Sequence, residues 1–147
     1  MLLLTAILSG CATMPTQQEI ANLDYGAPLL TIDYQQTIKQ YFENSLFDPY
    51  SAVYEFNAPK IYWYKETPFL GGRLYAGYMV FITLNAKNRM GGYVGKETYG
   101  FLFKNNTIIN VLSPEQLSYM KDVSSNYNYQ KTETPEEYLK RKEIYLI

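Results

Sequence analysis

At 147 residues the chain has room for one domain, and with 47% hydrophobic and 16% aromatic residues it belongs with folded rather than disordered sequences. Its net charge is −1 and no basic block occurs, so nucleic-acid binding through phosphate neutralisation has no electrostatic footprint. It holds no histidine and a single cysteine, which removes the commonest general base, the commonest metal ligand and any intrachain disulfide.

The first stretch is MLLLTAILSGC. Leu2–Leu8 is apolar but far too short to span a bilayer. It ends in Leu8-Ser9-Gly10-Cys11: an aliphatic residue, two small residues, then the cysteine. This segment resembles the lipobox of bacterial lipoproteins. The resemblance implies that residues 1–10 are a signal peptide, that cleavage leaves Cys11 as the first residue, and that Cys11 carries a diacylated thiol and an acylated amino group. Two or more acyl chains hold a protein on a membrane where one chain does so only marginally. No Lys or Arg precedes Leu2, a departure from the usual basic start that points to an initiation codon upstream. Residue 12 is alanine, whereas enterobacterial lipoproteins retained in the inner membrane carry aspartate there. The resemblance therefore implies an outer-membrane lipoprotein facing the periplasm. A cysteine buried on an apolar N-terminal strand is the competing reading.

Residues 11–33 read as a lipidated N-terminus and tether. Thr13, Pro15, Thr16, Gln17 and Gln18 are polar and lack periodicity, and Asp24–Pro28 is a turn-like break. Fully extended, this segment reaches about 70 Å, less if Leu29, Leu30 and Ile32 dock on the core domain.

Residues 34–112 read as that core domain. Tyr34, Ile38, Tyr41, Phe42, Ser45 and Leu46 fall at helical spacing and form one apolar stripe, with Thr31 or Asp33 as N-cap and Phe47-Asp48-Pro49 as the stop. A turn at Asp48-Pro49 leads into a short alternating strand to Phe56, and Lys60–Lys65 is another strand. Leu74–Leu84 is the most apolar stretch. Both of its alternate sets, Leu74-Ala76-Tyr78-Val80-Ile82-Leu84 and Tyr75-Gly77-Met79-Phe81-Thr83-Asn85, are largely apolar, so this strand reads as covered, at least in part, on both faces. A polar, glycine-rich loop then precedes strands at 96–104 and 107–112, joined by Asn105-Asn106, which suits a tight turn. The expected fold is α+β: one main helix, Tyr34–Leu46, packed on a small antiparallel meander. Residues 113–147 read as a C-terminal helical extension, because Ser113-Pro114-Glu115-Gln116 and Thr134-Pro135-Glu136-Glu137 each carry the signs of a capped helix start.

Asp48-Pro49-x-Ser51-Ala52, Pro59, Ala76-Gly77-Tyr78 and Asn85-Ala86-Lys87-Asn88 followed by Gly91-Gly92-Tyr93 and Gly95 form a pattern over residues 24–110. It is similar to that of small proteobacterial envelope lipoproteins and periplasmic proteins of uncharacterised activity. The resemblance implies an architecture and a compartment, and no reaction.

The loop after the central strand is the one cluster of polar groups with a binding use. Asn85 and Asn88 offer amides, Lys87 and Arg89 offer charge, and Tyr93 an aromatic hydroxyl, a set suited to a carboxylate, a phosphate or a glycan. The preferred reading is structural: the asparagines bond to backbone within the loop and the cations are solvated. No phosphate-loop motif, no metal-ligand spacing and no paired carboxylates occur, so no catalytic residue, cofactor or metal is expected. The expected function is a non-enzymatic envelope lipoprotein, an accessory or binding module held on the membrane through Cys11, with an envelope protein as partner and no nucleic acid. The alternative is a small envelope hydrolase or an inhibitor of one.

Overall fold

The computed structural model describes residues 15–29, 33–66 and 72–124. Helix α1 (Gln17–Ala21) and helix α2 (Tyr34–Glu43) precede strands β1 (Asp48–Phe56), β2 (Lys60–Lys65), β3 (Leu74–Lys87), β4 (Glu97–Lys104) and β5 (Thr107–Leu112), and helix α3 (Pro114–Ser124) follows them. The five strands form one antiparallel sheet in the order β1-β3-β4-β5, with β2 also paired to β3.

The 14-residue β3 is long enough to take two partners end to end on one side. β1 pairs with its second half, Phe56 opposite Ile82, and β2 with its first half, Lys60 opposite Met79. The two are one edge strand interrupted at Asn57–Pro59, where Asn57 N–H still donates to Phe81 O at 2.9 Å. Pro59, which has no N–H to offer, sits at the interruption. On the other side β4 runs from Glu97 opposite Leu84 to Phe103 opposite Tyr78. The β4–β5 turn uses Asn105 and Asn106, both at positive φ (49° and 64°).

Strand pleating sends the two alternate sets of β3 into two separate cores. Ala76, Tyr78, Val80, Ile82 and Leu84 pack with Ile61, Trp63, Phe101 and Phe103, under Tyr25, Leu29, Ile38 and Phe42. Met79 packs on the opposite face with Tyr62, Tyr64, Leu102 and Leu112, against Tyr75, Phe81 and Leu117 of α3.

The expected α+β arrangement, one main helix on a small meander with short C-terminal helices, is corrected by this architecture. The molecule is mostly antiparallel sheet, and its described helices run only 5, 10 and 11 residues. Of the expected stripe on α2, Ile38 and Phe42 are buried, whereas Tyr41 is 49% exposed. The helix ends at Glu43, and both Ser45 N–H and Leu46 N–H turn back to Phe42 O. The strands supply most of the core. Of the two expected C-terminal helix starts, Ser113-Pro114 opens α3, with Ser113 Oγ accepting Gln116 N–H at 3.3 Å. The start at Thr134-Pro135 lies outside the described residues.

Within the span read as a tether, α1 is closed by a capping box. Thr16 Oγ1 accepts Glu19 N–H at 3.2 Å and the Glu19 carboxylate accepts Thr16 N–H at 2.7 Å. These bonds hold the Glu19 carboxyl below its ordinary range, the backbone bond contributing most. Asp24 pairs with Lys104 at 3.0 Å, and Ala27 N–H donates to Asn105 Oδ1 at 2.9 Å. Residues 17–29 are thus fastened to the end of the sheet where β4 finishes.

Candidate functional site

The two motifs flagged in the sequence meet at the opposite end of the sheet. Asp48 opens β1 directly across from Lys87, the last residue of β3. Asp48 Oδ1 accepts Ser51 N–H at 3.2 Å, and Ser51 Oγ donates to Asp48 O at 2.8 Å. That local turn aims the same hydroxyl at β3, where it accepts Lys87 N–H at 2.9 Å. Tyr93 closes the set: it bridges Lys87 in an isolated antiparallel pair, and its hydroxyl donates to Ser51 O at 3.3 Å.

The asparagines hold the loop by the same kind of bond. Asn88 Oδ1 accepts Met90 N–H at 2.9 Å and Gly92 N–H at 3.2 Å, and Asn85 Oδ1 accepts Gly95 N–H at 3.1 Å. Gly91 and Gly95 lie at φ of +77° and +107°, where a side chain is strained. Asn85 and Asn88 are therefore committed to backbone. Lys87 Nζ sits 5.5 Å from the Tyr93 ring centroid and the Arg89 guanidinium 5.7 Å from that of Phe47. The structure thus brings Asn85, Lys87, Asn88, Arg89 and Tyr93 together at one end of the sheet, but the asparagine oxygens bond to loop backbone and the cations rest on rings. None of the five lines the groove between α2 and β1. Cys11 lies outside the described residues.

Beside this knot runs a groove that the sequence did not signal. It lies between α2 and β1, has a volume of about 670 Å³, and is lined by Gln35, Gln36, Lys39 and Glu43 on one side and Pro49, Tyr50, Ala52, Tyr54 and Phe56 on the other. The Tyr54 and Phe56 rings stack at 5.8 Å and 17°, and Lys39 Nζ stands 5.9 Å from the Phe56 centroid. Burial, assisted by the Glu43 charge, pushes the Tyr54 hydroxyl above its ordinary pKa. Among the described residues that line the groove, Glu43 is the one carboxylate. Alternation from Ala52 to Phe56 was the available signal for the groove wall. Recognising it as a wall requires knowing that β1 is an edge.

Among the described residues no cluster of metal-ligating side chains occurs, and no helix is long and apolar enough to cross a membrane. No family model, no curated protein and no solved structure matches the chain.

Proposed function

We propose that the protein is a lipid-anchored bacterial envelope protein that works without catalysis, as a binding module presented from the membrane on which Cys11 holds it. The observation that carries this reading is Leu8-Ser9-Gly10-Cys11 at the end of an apolar run, six residues before the first residue of α1, Gln17. An outer-membrane position facing the periplasm goes with it, on the strength of Ala12 after the cysteine.

The fold supports an orientation for a chain anchored in this way. From Cys11 to Gln17 the chain reaches roughly 20 Å at most. Residues 17–29 are fastened at the Lys104–Asn105 end of the sheet. The Ser51–Lys87–Tyr93 knot lies at the far end of β3; β4 finishes opposite Tyr78, and the stretch of strand from there to Lys87 spans roughly 30 Å. An anchored chain would carry its α1 end near the bilayer and extend the knot away from it. The two-sided core and the single carboxylate in the groove support a binding surface rather than an active site.

The test is metabolic labelling with an alkyne fatty acid in the native host. The expected result is label on the wild-type protein and none on Cys11→Ser, which moves to the soluble fraction with its fold intact. An unlabelled wild-type protein that fractionates as soluble would overturn the proposal.

A further inference from the structure

β1 is an edge strand: among the described residues it pairs on one side only, with β3. The bond from Asn57 N–H to Phe81 O, with Phe56 opposite Ile82, fixes which groups face which way. Residues 53, 55 and 57 turn their backbone groups toward β3. Tyr54 and Phe56 turn theirs outward, and no described strand takes them up. Their side chains line the groove against α2. A free strand edge running beside a helix-walled groove is the geometry in which an extended peptide adds a strand and drops alternate side chains into the groove.

The surroundings select the chemistry of such a peptide. Lys39 stands at the Phe56 end of the edge, and Lys87 and Arg89 at the Asp48 end, each held against an aromatic ring. Among the described residues that line the groove Glu43 is the one carboxylate, the Asp48 carboxylate is turned onto Ser51 N–H, and Glu55 pairs with Lys96. Apolar area is exposed along the same edge: Tyr50 is 100% exposed, Phe47 63% and Val53 52%. Natural edges are normally blunted by charge, proline or a covering element. Here Pro49 blunts only the first turn, and among the described residues no strand covers Tyr54–Phe56.

We propose that the β1 edge and the α2–β1 groove bind an extended protein segment that alternates acidic and apolar residues and adds to the sheet as a sixth strand. The proposal deepens the binding-module reading and rests on it. It names the surface, but does not depend on acylation of Cys11.

The probe is a random peptide library selected on the full chain carrying Cys11→Ser, followed by synthesis of a recovered peptide. Selection is expected to enrich Asp and Glu alternating with β-branched or aromatic residues. Blocking one edge-facing amide of the synthetic peptide by N-methylation should weaken binding about tenfold, the worth of one net hydrogen bond. N-methylation of the neighbouring, outward amide should change little. Lys39→Glu combined with Arg89→Glu, checked by an unchanged thermal melt, should also cost about tenfold or more. The proposal fails if selection returns no acidic alternation, or if N-methylation at either amide is equally tolerated. It also fails if the chain binds phosphatidylglycerol vesicles but no peptide, or if it self-associates through β1 and excludes the peptide. Each of these results leaves the acyl-labelling outcome on wild-type protein unaffected, so the two proposals fail separately.

Discussion

Ser51 Oγ accepts the backbone N–H of Lys87 at 2.9 Å, joining residues 36 positions apart in sequence. The same hydroxyl donates to Asp48 O, so one small side chain fixes the start of β1 against the end of β3. Ser51→Ala is expected to cost about 1 kcal/mol, as is Asn88→Ala, which strips two loop amides of their acceptor. Lys87→Ala and Arg89→Ala should stay within about 0.5–1 kcal/mol, the range for exposed cations on rings. Urea denaturation of the four variants checks the order. A larger loss from the cations than from Ser51 and Asn88 would mean that these hydrogen bonds do not hold the loop.

Gly77 shows where the sheet tolerates no side chain. A Cβ at this position would lie 2.2 Å from Phe103 O, a backbone atom that cannot swing away. Gly77→Ala should cost more than about 3 kcal/mol, beyond ordinary overpacking, and should leave little folded protein. At Gly100 the nearest atom is Met79 Sδ at 3.1 Å, the flexible end of a side chain. Gly100→Ala should therefore fold and lose about 1–2 kcal/mol. Near-ultraviolet circular dichroism and thermal melts separate the two.

Phe42 is the residue through which α2 is seated. It is buried and makes edge contacts with Tyr99 at 5.1 Å and Phe101 at 5.7 Å. Phe42→Ala should cost about 3–5 kcal/mol. Tyr41, half exposed with its ring edge-on to Phe101, should cost no more than about half of that on truncation. Equal losses would show that the helix is not docked in this orientation.

These elements were unequally legible. The two apolar alternations of Leu74–Leu84 announced a strand covered on both faces, because period-two pleating writes each face directly into the sequence. The role of Asn85 and Asn88 was also readable, since amides beside glycines bond locally. The shared edge of β1 and β2 was not, because one strand interrupted at Asn57–Pro59 looks like two. Thr16-x-x-Glu19 is a capping box, yet its polar run reads as tether when the five-residue α1 is too short to show periodicity. The weight given to Tyr34–Leu46 came from a stripe of which only Ile38 and Phe42 are buried. Helical spacing says which residues share a side, not how much of that side the sheet covers. The groove depended on an edge, and edges are set by pairing that no local pattern records.

Alkaline pH tests the burial of the tyrosines. Burial first, then the Glu97 carboxylate that accepts its hydroxyl, pushes Tyr99 up to about 12. Burial pushes Tyr64 in the same direction, aided by Tyr75. A folded-state pKa above the unfolded value, about 10 for tyrosine, gives stability that is fully present below that value. It is lost as pH rises from there through the folded pKa. Stability should therefore fall above about pH 10, with tyrosinate absorbance rising together with unfolding. In Tyr99→Phe the fall should be shallower. An unchanged slope would contradict the assignment.

The most direct measurement on the central claim is the intact mass of the wild-type protein purified from cell envelopes of its host. The account predicts a chain that begins at Cys11, lacks residues 1–10, and is heavier than its polypeptide by a diacylglyceryl group and an amide-linked fatty acid. An unmodified Cys11 thiol with residues 1–10 still attached would contradict it, and the anchoring and the orientation derived from it would fall together.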